Sequence, residues 1–179
     1  MSNRLDLSYP AILSNFGSHL VSGRTEARAF LAWFLEHYYR LEETDAQDAV
    51  CDGPDDKGVD GIYVDENLER IEILQSKLFQ NQTKTLGDTT LKEFVGSIEQ
   101  FRSADSIERI AATTSNTDLA RLIRDKNLAT LLNDGFEVHG VLVTNASRDG
   151  NATSYLQSRT DITLFDGPAL NDGWVPIGP

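Results

Sequence analysis

A single cysteine, Cys51, stands in the 179 residues of this chain, so no internal disulfide can form. That suits a reducing compartment and excludes a disulfide-stapled secreted scaffold. No neighbouring base is visible beside Cys51, which reads as a small buried hydrophobe rather than a nucleophile. No apolar run approaches the roughly 20 residues needed to span a bilayer. The first residues, MSNRLDLSYPAILSNF, lack the basic-then-apolar layout of a signal peptide. The expectation is a cytoplasmic protein without a membrane partner. Also missing are a P-loop, a G-x-G-x-x-G turn and paired-cysteine zinc spacing. A calcium loop starting at Asp52 fails on spacing, because its third position is Pro54 and its sixth is Lys57, where glycine is needed.

Positive charge is scarce. Sixteen Lys and Arg face 28 Asp and Glu, a net charge of −12. Such a chain repels nucleic acid unless its substrate affinity comes from elsewhere. Aromatic residues do not alternate with basic ones, so a single-strand stacking platform is not expected. Much of the acid excess lies between Glu42 and Glu66. Most of those acids read as a solvated loop.

What is present is a short run, CDGPDDKGVDGIYVDENLERIEILQSK, from Cys51 to Lys77. Gly61 to Val64 and Ile71 to Lys77 read as two strands joined through Asp65-Glu66-Asn67. Asp60 opens the first. Gln75 and Lys77 lie two apart on the second, so they share a face. One carboxylate, one amide oxygen and one ammonium on a small patch can bind a divalent metal and cut a phosphodiester. Asp60 alone is also ordinary turn chemistry, and Lys77 alone an edge-strand lysine. Their joint spacing carries the reading. Asp56, four residues before Asp60, reads equally as a partner of the site or as a loop cap.

The rest of the chain frames that patch. Ala27, Phe30, Leu31, Phe34, Leu35 and Tyr38 fall at helical spacing. Ala49-Val50-Cys51 reads as a short strand. Leu91 to Phe101 marks a second amphipathic helix, and Asp118 to Leu132 a third helical region, stopped at Gly135. Phe136 to Val143 is a strand buried on both faces. A short helix at Ser154 to Ser158 and a strand at Ile162 to Phe165 close the order. The fold class is therefore α/β, a mixed central sheet flanked by helices, in one domain with its core at about residues 22–166. His19, His37 and His139 are expected to be satisfied structural imidazoles, and Trp33 and Trp174 core and tail anchors.

That order, with an acid opening the second strand and Q-x-K ending the third, resembles the PD-(D/E)XK nuclease superfamily, nearest its Mrr-like and resolvase-like branches. More narrowly, Asp52-Gly53, Asp56-Lys57-Gly58-Val59-Asp60-Gly61-Ile62 and Leu74-Gln75-Ser76-Lys77 look like the N-terminal domain of abortive-infection phage-resistance (AIPR) proteins. The resemblance implies an αβββαβ restriction-endonuclease-like core and Mg²⁺- or Mn²⁺-dependent cleavage of nucleic acid, DNA first, in phage defence. Asp60, Gln75 and the Ser76 carbonyl would hold the metal. Lys77 would orient or deprotonate the attacking water, or stabilise charge on the phosphate. The superfamily branch carries an extra Glu on its first helix, for which Glu26 and Glu36 are candidates. Steps of four put Glu26 on the line of Phe30 and Phe34. Glu36 sits about 200° from Phe34, with Arg40 four residues on as a surface partner. Glu26 is the chosen ligand, though an acid at a helix start also suits the macrodipole. Family members are generally longer, so this chain is expected to be an N-terminal fragment, with a second copy or an absent C-terminal domain as partner. The competing reading is a catalytically silent module with this fold, acting through protein contacts.

Overall fold

The computed structural model describes residues 4–177. Its centre is a four-stranded sheet in the order β1-β2-β3-β4. β1 (Gly61–Asp65) runs antiparallel to β2 (Arg70–Lys77), while β3 (Glu137–Thr144) and β4 (Ile162–Phe165) continue in parallel. The mixed sheet follows from the connections: a tight turn permits only an antiparallel pair, whereas a parallel neighbour needs a long crossover. Helices fill the crossovers. The turn itself is tied by the Leu68 amide donating to Asp65 Oδ1 at 2.9 Å.

Alternation along β2 divides the core into two layers. Ile71 and Ile73 face α3 (Asp88–Glu99), α4 (Ala104–Thr113), α5 (Thr117–Asp125), α6 (Leu128–Asn133) and α7 (Gly150–Gln157). Leu74, with Val141 and Val143 from β3, faces α1 (Glu26–Tyr38). Gly140 on β3 is required by this packing, because a Cβ there would stand 2.2 Å from Ile98 Cδ1 and 2.8 Å from Phe94 Cε2. β3 is buried along its length except at Glu137, as a strand covered on both faces should be.

α1 is more deeply placed than its apolar stripe implies. Ala29 through Leu35 are all buried, because a second apolar cover lies over its far face. Phe16 from the N-terminal segment stacks on Phe30 at 5.6 Å, and Trp174 stacks on Trp33 at 5.7 Å. Trp33 and Trp174 thus anchor core and tail as expected.

Several elements depart from the expected order. Ala49–Cys51 is not a strand but an isolated bridge, Val50 to Gly61, because the chain turns away immediately at Asp52. The third helical region is two helices, broken where Asn127 takes a left-handed φ of 52°. Three helices were not foreseen: α2 (Glu43–Asp48), α4, and α8 (Gly167–Asp172). No helix among the described residues is long and apolar enough to cross a membrane.

Candidate functional site at the fork between the first two strands

Asp60 sits where β1 leaves the sheet. Its amide still donates to Leu74 O at 2.8 Å, as the last rung of the ladder. Its carboxylate then takes over from the missing backbone: Oδ2 accepts the Ser76 amide at 2.9 Å. The Ser76 N–H and C=O point to the same edge of β2, so the Ser76 carbonyl faces the gap that β1 has vacated. Its hydroxyl donates to Ala27 O at 2.6 Å, stitching the start of α1 to the same spot.

Gln75 follows Leu74 on β2, just beyond the last paired residue of β1. Its Nε2 donates to Gly58 O at 3.0 Å. Its Oε1 accepts no hydrogen bond among the described residues, which leaves an amide oxygen for another partner. Lys77, two residues on, makes no ion pair or hydrogen bond among the described residues. Its charge nonetheless acts on Asp60. The fork therefore gathers Asp60, Gln75, Ser76 and Lys77.

Glu26 is a different case. It opens α1, half-buried, and lies beside the Tyr9 hydroxyl, whose pKa it pushes up. The charges acting most on Asp60 are those of Asp56, Arg28 and Lys77. Glu36 is committed elsewhere: its Oε2 lies 2.5 Å from Nε2 of the buried His19. The expected Arg40 partner is absent because α1 ends at Tyr38 and Arg40 has a φ of 59°, so no helical i,i+4 geometry exists there. Arg40 donates instead to Val175 O at 3.0 Å.

The loop from Asp52 to Val59 is not a solvated acid run. Arg24 grips Asp52 through two nitrogens, and Arg28 holds Asp56 at 2.6 Å and Gly53 O at 3.0 Å. Lys57 pairs with Asp55 at 2.8 Å, and Asp55 also accepts the Ser115 amide at 2.7 Å. Asn116 Nδ2 donates to the carbonyls of Asp52, Gly53 and Pro54, while its Oδ1 caps α5. Asp56 is a loop cap that also pairs with an arginine. One oxygen caps the loop through the Gly58 amide at 3.0 Å, and the other meets Arg28. Gly58 itself has a φ of 78°, and a Cβ there would lie 2.3 Å from Ser97 Oγ. The loop that aims Asp60 is thus built to one shape.

Arg28 is the residue sequence reasoning missed. Its Nε is buried, has no hydrogen-bond acceptor among the described residues, and stands 3.7 Å from Asp60 Oδ1. The signal was there in part: a dense acid loop in a chain poor in cations leaves few arginines to balance it, and Arg24 and Arg28 flank the start of α1.

Electrostatically the fork is balanced, Asp56 and Asp60 against Arg28 and Lys77. Burial pushes the Asp60 carboxyl above its ordinary value, with the Ser76 amide working against that rise. A hard divalent cation takes oxygen ligands. Asp60 Oδ1, Gln75 Oε1 and the Ser76 carbonyl fit that requirement in chemical type. Among the described residues no three His, Cys, Asp or Glu side chains come together as a metal-holding group, so the set rests on one carboxylate.

Of the other titratable groups, Cys51 is fully buried and burial pushes its thiol pKa up, so it is inert packing. His19 and His139 have partners, the latter Thr163 Oγ1 at 2.8 Å. His37 does not fit the expectation of a satisfied imidazole: its Nδ1 is buried without a hydrogen-bond partner, in a slot beside Trp33 and Trp174.

No protein-family model, curated protein or solved structure matches this chain.

Proposed function

We propose that this chain is a divalent-metal-dependent nuclease domain that hydrolyses phosphodiester bonds of nucleic acid, DNA first among its substrates. The observation that carries the reading is the meeting of Asp60, Gln75, Ser76 and Lys77 at one fork, with Gln75 Oε1 and the Lys77 ammonium unengaged among the described residues. A bound Mg²⁺ or Mn²⁺ would polarise the phosphoryl oxygen and lower the pKa of a coordinated water. Asp60 supplies the anionic ligand and Gln75 and Ser76 neutral ones. Lys77 holds the water or meets the charge that builds on the phosphate. In the reaction the water oxygen bonds to phosphorus and gives up one proton to solvent, the bond to one ester oxygen breaks, and the released oxygen takes a proton back from solvent. The wider role, abortive-infection defence against phage, rests on the family resemblance.

The second reading, a silent module working through protein contacts, is favoured by Arg28. A guanidinium beside Asp60 already compensates the carboxylate, and Glu26 lies beside the Tyr9 hydroxyl. Incubating the protein with supercoiled plasmid and with single-stranded DNA, in Mg²⁺ or Mn²⁺ and in EDTA, separates the two. Metal-dependent cutting supports the nuclease. No cutting, together with no calorimetric heat of metal binding, favours the silent module.

A further inference from the structure

We propose that Arg28 is a fixed counter-charge that sets the divalent-cation affinity of the Asp60 site, a regulation that rests on the metal-binding reading above. Three observations lead there. The guanidinium is tethered away from Asp60 by its Nη2, which donates to Gly53 O at 3.0 Å and Asp56 Oδ2 at 2.6 Å. It is therefore held in place, with its side chain only 13% exposed. Its Nε turns to Asp60 yet stays 3.7 Å from Oδ1, beyond hydrogen-bond reach, and finds no other acceptor among the described residues. Meanwhile Asp60 Oδ2 is occupied by the Ser76 amide, so Oδ1 is the oxygen left for a ligand.

A direct salt bridge would place N and O at about 2.8 Å and consume the carboxylate. The arrangement here compensates the Asp60 charge without taking its free lone pairs. Any cation that binds Oδ1 then meets a positive charge that cannot leave. With one carboxylate in the set, that repulsion decides whether the site fills. An ionic neighbour at this range shifts a carboxylate's preference for a cation by about tenfold or more.

The test is calorimetric titration of Mn²⁺ alone into the wild type, Arg28→Gln, Arg28→Lys, Asp56→Asn and the double variant Arg28→Gln/Asp56→Asn, with melting temperatures recorded in parallel. The double variant removes both charges of the pair, so the loss of Arg28 can still be read against Asp56→Asn if Arg28→Gln alone fails to fold. The expected result is about tenfold or greater tightening from wild type to Arg28→Gln and from Asp56→Asn to the double variant, with Arg28→Lys near wild type. Tightening in Arg28→Gln with none between Asp56→Asn and the double variant would mean that an unmasked Asp56 was responsible, and would overturn the proposal. So would unchanged or weaker binding in both comparisons. Absence of saturable Mn²⁺ binding in every protein, wild type included, would remove the metal-binding reading itself and this inference with it.

Discussion

His19 and Glu36 show how a single pair separates structure from chemistry. His19 is 2% exposed, and its Nε2 lies 2.5 Å from Glu36. Removing Glu36 leaves a buried ring nitrogen unpaired, which costs about 1–3 kcal/mol. Glu36→Ala should therefore lower the unfolding free energy by that amount, measured by urea titration, while any cleavage per folded molecule persists. Loss of cleavage with stability intact would instead move Glu36 into the site. The shared face of Gln75 and Lys77 was legible from spacing, because strand geometry converts i and i+2 into one face, and Asp60 was placed near them by reading the turn at Asp65-Glu66-Asn67. Arg28 was not. Its partners lie 25 or more residues away in a loop whose path depends on four positive-φ positions, Gly53, Asp55, Lys57 and Gly58, and no local pattern encodes that path.

Elements show the same division. Strands and amphipathic helices with clean periodicity, β1 to β4, α1 and α3, could be read from the chain. α4 and α5 were missed or merged, yet they hold the loop that carries Asp60. Asn116 binds three successive loop carbonyls and also caps α5. Asn116→Ala should cost about 2 kcal/mol or more, and it should raise amide exchange selectively from Asp52 to Val59. Uniform exchange across the molecule would contradict a local clamp. Gly140→Ala tests the packing of α3 on β3. The added methyl meets Ile98 and Phe94 within van der Waals contact, so the fold should lose about 1–3 kcal/mol by denaturant titration. A neutral result would mean that α3 shifts freely on the sheet.

At the scale of the whole molecule, charge governs pH response. Burial holds the imidazoles of His37 and His139 below their ordinary value. The unfolded chain therefore takes up protons first as the pH falls through about 6.5, so stability present above that pH is lost below it. Asp161, held low first by its hydrogen bond from Arg159, adds a further loss at about pH 4 and below. Asp60 and Glu72, raised by burial, act in the opposite sense and offset part of the loss. The melting temperature should fall less steeply between pH 7 and about 5.5 in the double variant His37→Gln/His139→Gln than in the wild type. Equal slopes would contradict this. The net charge of −12 also matters for substrate. Asp52, Asp55 and Asp56 are paired internally with Arg24, Lys57 and Arg28 and add no free negative charge beside the fork, while the net charge of the chain opposes nucleic acid.

The central claim is that Lys77 belongs to a cleavage site and is not an ordinary surface lysine at the end of an interior strand. The most direct measurement is the rate of plasmid nicking in Mn²⁺ by purified wild type and Lys77→Ala, alongside their melting temperatures. The account predicts that the wild type cuts, that the variant loses the activity by about 100-fold or more, and that both melt at the same temperature. Equal cutting by a folded Lys77→Ala variant would contradict it.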